Sequence, residues 1–208
     1  MSWTNFFDKI YVINLPKRTD RLLEITEEMV KYGIEFDLID GIQHEKGAEG
    51  LRLTVENLLV DAIENGYKNI LIFEDDCMFI EPKEVVDDTM NRVVNELPEN
   101  YHICYLSAQP TNGFHYRHSS SLLQLDSAFA THSWALSLQG MKEIISTGLY
   151  APIDNCLVAT IQTQQRCYIT FPILTTQRPG ISDIGGTFID WNVFLVGRYN
   201  QKLAEMKK

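Results

Sequence analysis

The chain has 208 residues, 45 % of them hydrophobic, and a formal net charge of −10. That length and apolar content suffice for one domain with a real core, and the acidic balance argues against nucleic acid or an anionic membrane as a non-specific partner. An anionic ligand would therefore have to be met by a few placed basic residues, by backbone N–H groups or by a metal ion.

In chain order, "KIYVINL" is a continuous apolar run ended by Pro16 and reads as a buried strand. Leu22, Ile25, Met29 and Val30 then recur at helical spacing, with Thr19 as the N-cap and Gly33 as the stop. "IEFDLID" alternates like a half-buried strand ending at Asp40-Gly41. A polar loop, "GIQHEKGAEG", leads to a helix packing through Val55, Leu58, Leu59, Ala62 and Ile63. "KNILIFEDD" is the third strand, residues 83–97 form a helix, and "YHICYLSA" is the fourth strand. "QPTNGFHYRHSSS" reads as a loop insertion, "SWALSL" as a strand, "QGMKEIIS" as a short helix stopped by Gly148, and "CYITFPIL" as a late strand. The C-terminal segment is an amphipathic helix with Trp191, Phe194 and Leu195 as its stripe.

Strands alternating with helices predict an open α/β sheet in a single domain, with ligands beyond the carboxyl ends of the strands. Asn14, Asp40, Glu74, Asp75, Asp76 and Ser107 all fall at such ends. No stretch approaches the roughly 20 apolar residues that span a bilayer, and the start lacks a basic segment ahead of an apolar one. Cys77, Cys104, Cys156 and Cys167 have no CxxC spacing and read as reduced structural thiols, which predicts a cytoplasmic address. The Lys-rich end admits further domains of a longer polypeptide.

Three acids closing an apolar strand suit a hard divalent cation, a phosphoryl acceptor or acid–base work; the alternative is a solvated strand end. Arg18 and Arg21, one helical turn apart at a helix start, could face a phosphate or form surface pairs with Asp20 or Glu24. Asp40 could accept from a nucleobase or ribose, or simply close an Asx turn. Asp154 and Asp183 are lone acids in apolar or turn-rich settings, and His132 in "ATHSW" is either a site residue or a satisfied half-buried histidine. His115 and His118 have an HxxH spacing without further zinc ligands nearby. GxxxxGK[ST], GxGxxG and GxSxG are absent.

"YVINLPKRTDR", "NILIFEDD", "THSWALSLQGMKEI", "PIDNCL" and "QRPGISDI", in this order over nearly the whole chain, resemble glycosyltransferase family 25. The resemblance implies a GT-A fold, a Rossmann-like, mixed and mostly parallel sheet flanked by helices, acting on a UDP-sugar with Mn²⁺ or Mg²⁺. UDP-galactose or UDP-glucose is the family default, and the acceptor a glycan or glycoprotein. By the same resemblance Asn14, Leu15, Arg18 and Arg21 line the nucleotide and diphosphate, and Asp40 and Gly41 lie near uracil or ribose. Glu74 and Asp75 take the ribose side, with Ser107 and His132 in the donor set. Asp76 is the metal ligand, Asp183 the second one, and Asp154 the general base of an inverting transfer. One departure is "GLRLTV", where the family often has Ser and His at the positions of Thr54 and Val55. The rival readings are a nucleotidyl- or phosphotransferase using the same acids, and a non-catalytic glycan-binding or assembly domain.

Overall fold

A computed structural model describes residues 2–206, apart from the side chains at positions 113 and 115. The His115 half of the HxxH pair and the terminal Lys207-Lys208 thus lie outside the described residues.

The first half alternates as the sequence predicts. Strand β1 (Lys9–Asn14) leads to helix α1 (Thr19–Tyr32), β2 (Asp37–Asp40), α2 (Gly47–Glu64) and β3 (Asn69–Glu74). Gly33 ends α1 in the left-handed region at φ 68°, the backbone state that an L side chain resists. Thr19 is the first helical residue rather than the cap; Arg18 holds that position and makes no side-chain capping bond. The second strand is shorter than its alternation suggests, because it is the sheet's edge and pairs only through Asp37–Asp40, with Leu38 left 43 % exposed.

Next come β4 (Cys77–Phe79), α3 (Lys83–Glu96), β5 (Ile103–Tyr105), β6 (Gln109–Arg117), β7 (Leu122–Phe129), β8 (Ser133–Ser137), α4 (Leu138–Thr147) and α5 (Ile153–Ala159). The chain finishes with β9 (Cys167–Thr170), β10 (Thr175–Gln177), the short strands β11 (Gly180–Ile181) and β12 (Phe188–Ile189), and α6 (Asn192–Met206). The stretch read as a loop insertion is strand β6: its backbone is claimed by antiparallel pairing with β7, with register shifts from Pro110 to Tyr116 that absorb its irregular sequence. Helix α6 also differs from its expected stripe. Leu195 and Tyr199, one turn apart, are its buried residues, while Phe194 is 45 % exposed.

Eight strands form the main sheet in the order β2-β1-β3-β8-β5-β9-β7-β6. Pairing is parallel at β2-β1, β1-β3 and β5-β9 and antiparallel elsewhere, so only β7 and β8 run against the other six. Pleating sends successive side chains of β3 to opposite faces. Ile70 and Ile72 join a core with Val55, Leu58 and Leu59 of α2, Met141 and Ile144 of α4 and Leu157 of α5. Leu71 and Phe73 join the other core, with Ile25 and Met29 of α1 and Val86, Met90 and Val93 of α3. A strand buried on both faces cannot keep a polar residue in its middle, so its acids are confined to its end.

Candidate active site

Where β1 and β3 end, the chain turns away from the sheet and leaves a cavity of about 560 Å³. Three walls are readable from sequence neighbourhoods. Ile13, Leu15, Gly41, Ile42 and Leu51 supply an apolar side; Glu74, Asp75, Asp76, Thr131 and Asp154 supply an acidic floor; Arg178, Asp183, Ile189 and Trp191 close over from the C-terminal segment. Lys17 and Arg21 enter from the start of α1.

The pleat assigns the acids to different neighbours. Glu74 continues the Ile70–Ile72 face, and Thr131 donates to its carboxylate at 2.7 Å. Burial, reinforced by the charges of Asp76, Asp75 and Asp154, pushes the Glu74 carboxyl up from the usual range. Asp75 opens the turn after β3 toward α1, where Arg21 Nη1 donates to it at 2.8 Å; both side chains are only 11–12 % exposed. Burial raises Asp75, and the Arg21 charge and hydrogen bond oppose the rise. Asp76 is looser. Gln177 Nε2 lies 3.3 Å from both its oxygens and Arg21 Nη1 lies 3.5 Å away, so burial wins and its carboxyl is also raised. The Arg178 N–H donates to the Asp76 carbonyl at 2.6 Å, tying the segment after β10 to this turn.

Asp183 sits between two cations. Arg18 donates to it and Lys17 Nζ approaches to 3.3 Å, while Arg18 is also paired with Asp20 at 2.9 Å. Asp154 lies in the first turn of α5, half-buried on the cavity wall.

Of the residues singled out from sequence, Leu15, Arg21, Gly41, Glu74, Asp75, Asp76, Asp154 and Asp183 line one cavity. Arg18 joins through Asp183. Asp40 lines a neighbouring groove of about 250 Å³ with Tyr11, Asn57 and Asp61 instead. Asn14 is 2 % exposed and leaves its Oδ1 without a partner beside the cavity wall. Ser107 and His132 are fully buried and do not line the cavity. His132 sits inside because β8 runs antiparallel beside β3, its carbonyl accepting from the Glu74 N–H; burial lowers its imidazole to about 3. Lys17, Thr131, Gln177, Arg178 and Trp191 are lining residues the sequence reading did not assign. Of these, Arg178 carried a signal, as a lone arginine before Pro179-Gly180 in a segment already marked by Asp183.

Among the described residues no three His, Cys, Asp or Glu side chains form a ready-made metal cage. Asp76 still suits a hard divalent ion. It offers two oxygens to the cavity, held by contacts of 3.3–3.5 Å, and Mg²⁺ typically needs only one or two carboxylates when substrate phosphates complete its shell. Asp183 as found is committed to Arg18 and Lys17.

No family model matches the chain, and no curated protein matches it. Among solved structures it is similar to A197 from STIV, with 13 % identity, a TM-score of 0.51, and coverage of 86 % of this chain and 91 % of that one. A glycosyltransferase involved in the glycosylation of the major capsid of PBCV-1 is similar at 13 % identity and a TM-score of 0.48, over 77 % of this chain and 79 % of that one. UDP-glucose pyrophosphorylase, complexed with UDP-glucose, is similar at 9 % identity and a TM-score of 0.47, over 96 % and 98 %. At these identities the likeness is one of fold, and the fold is the mixed, mostly parallel α/β sheet flanked by helices that the strand and helix order predicts.

Proposed function

We propose that the chain is a glycosyltransferase that moves a hexose from a UDP-sugar to a hydroxyl of a glycan or glycoprotein. The observation that supports this best is the meeting, in one cavity with an apolar side wall, of buried strand-end acids and the basic start of α1. The apolar wall of Ile13, Leu15, Ile42 and Leu51 suits a nucleobase; Lys17, Arg18 and Arg21 suit its diphosphate. Asp75, fixed by Arg21, is placed to accept from ribose. Mn²⁺ or Mg²⁺ held by Asp76, and by Asp183 once it leaves its ion pairs, would neutralise the diphosphate.

Asp154 is the proposed general base. It takes the proton of the acceptor hydroxyl as that oxygen bonds to the anomeric carbon, and the carbon–oxygen bond to the diphosphate breaks with its electron pair leaving on phosphate. Attack opposite the leaving group inverts the anomeric centre. Glu74, whose carboxyl burial and the neighbouring acids push up, accepts from Thr131 on the cavity floor.

The test is a melting curve with UDP and UDP-sugars, with and without Mn²⁺. Saturation at 100 times Kd stabilises by about 2.7 kcal/mol, a rise of roughly 5–10 °C for a domain of this size. No shift with any nucleotide removes the reading. Release of UDP from a UDP-sugar in the presence of acceptor supports it, whereas release of pyrophosphate from UTP and a hexose phosphate makes the chain a nucleotidyltransferase.

A further inference from the structure

The segment that carries Asp183 is attached in an unusual way. Strands β11 and β12 form a two-stranded hairpin whose residues Ile181, Ile184 and Phe188 are 61 %, 55 % and 70 % exposed, so apolar burial does little to hold its tip. Its tip is internally bonded, Ser182 N–H donating to the Thr187 carbonyl at 3.0 Å and the Gly186 N–H to the Ser182 carbonyl at 2.8 Å. Across the cavity it is held by polar contacts. Arg21 Nη2 donates to the Ile181 carbonyl at 2.9 Å, and Lys17 and Arg18 take the Asp183 carboxylate. It also rests on the first residue of α2. A Cβ on Gly47 would lie 2.6 Å from the Asp183 carbonyl oxygen and 2.9 Å from Ile184 Cα, so only glycine lets the hairpin backbone seat there.

The polar contacts share one property: each occupies a cation at or beside the cavity, Arg21, Lys17 or Arg18. A carboxylate bridged by a lysine and an arginine is chemically a phosphate's place taken by an internal group. Arg178 adds a further cation to the same wall, with Glu24 no nearer than 3.4 Å. We propose that Asp183 is an internal stand-in for a diphosphate: it holds Lys17 and Arg18 in the unliganded chain, and a diphosphate-bearing ligand binds by displacing it and lifting the β11–β12 hairpin. Asp183 is thereby a specificity residue. A ligand with one weak anionic group exchanges one carboxylate for its like and gains little, whereas a diphosphate brings more charge to the same cations. This inference rests on the donor-binding reading of the cavity, and it concerns Asp183 in the unliganded chain, before it leaves its ion pairs.

The test is the affinity of inorganic pyrophosphate and of UDP, each measured by calorimetry in EDTA, for the wild type, Asp183→Asn and Gly47→Ala. Both substitutions are expected to tighten binding of both probes, by about tenfold for Asp183→Asn, which corresponds to about 1.4 kcal/mol. The second reaches the same end without touching a charge, by forcing the hairpin off α2. Trp191 fluorescence gives an independent readout, since Trp3 and Trp134 are buried at 1–2 % exposure and Trp191 is half-buried on the cavity wall. Pyrophosphate should shift its emission in the wild type, and Asp183→Asn should show that shift before any ligand is added. Affinities that stay equal or fall in both variants overturn the stand-in role, and UDP binding by the wild type then leaves the glycosyltransferase reading in place. Tighter pyrophosphate binding by the variants with no UDP binding in EDTA keeps the stand-in role, and UDP binding that then stays absent with Mn²⁺ discards the nucleotide. Failure of every protein to bind either probe in EDTA overturns the stand-in role, and the glycosyltransferase reading is judged separately by the melting curves with Mn²⁺.

Discussion

Two acid–base clusters meet at the start of α1, and they are built from the same groups to different ends. Arg21 and Asp75 belong to a helix and to the turn leaving a central strand, and both are 11–12 % exposed. Lys17 and Asp183 belong to a loop and a hairpin tip, and are 51 % and 22 % exposed. In the first pair, water replaces a lost partner poorly, so the pair is part of what the fold must satisfy. In the second, solvent stands ready at one side and the anion is exchangeable. The difference lies in what carries the side chains, and it divides a fixed contact of the framework from an exchangeable one more sharply than residue type does.

The strongest way to break that comparison is Arg21→Ala. It strands a buried Asp75 carboxylate, and a loss of about 3–5 kcal/mol in denaturant unfolding is expected; a loss below about 1 kcal/mol would place both clusters in the exchangeable class. Asp76→Asn probes the loosely held acid between them. Folding should survive, while Mn²⁺-dependent UDP affinity falls on the order of 100-fold, or about 2.7 kcal/mol, as read by calorimetry with and without EDTA.

A burial without any charged partner sharpens the contrast. The imidazole of His132 is depressed to about 3 from an ordinary 6.5 by burial alone. The unfolded chain therefore binds the extra proton between those values, so this contribution is intact above about pH 6.5 and is lost as pH falls toward 3, at about 1.4 kcal/mol per pH unit. Nuclear magnetic resonance should show its ring signals unmoved from pH 8 to 5, and a midpoint near 6.5 would contradict its sealing behind β3. The smallest effect belongs to the hairpin: Asp183→Asn should change unfolding free energy by about 1 kcal/mol or less, and a larger loss would move Asp183 into the framework class.

Much of the first half was legible because its signals are local. Apolar runs ended by Pro16 and Asp40-Gly41, helical spacing stopped by Gly33, and acids driven to the end of a doubly buried strand each follow from short-range chemistry. The second half is decided by pairing between distant segments. Nothing within "QPTNGFHYR" marks a nine-residue strand until β7 offers its backbone, and nothing within "THSW" says that an antiparallel β8 carries His132 inward rather than to the cavity. The site shows the same split. Arg21 and Asp75 are visible as charge at element ends, whereas the occupancy of Lys17 and Arg18 by Asp183, more than 160 residues away, depends on a hairpin whose course the sequence does not encode locally.

The four cysteines, all free and buried, give the molecule a built-in clock. Cys104 and Cys167 lie on adjacent strands β5 and β9, Cys77 opens β4, and Cys156 sits in α5, each at 1 % exposure or less. Burial holds the Cys77, Cys104 and Cys167 thiols well above their ordinary range, so alkylating reagents find almost no thiolate at these three positions in the folded chain. Modification of Cys104 and Cys167 must wait for opening of the main sheet itself, whose strands β5 and β9 pair with β8, β7 and each other and not with the β11–β12 hairpin. The rate of thiol capture at Cys104 and Cys167 therefore times opening of the main sheet while Trp191 follows the hairpin, and the two motions can be separated in one protein.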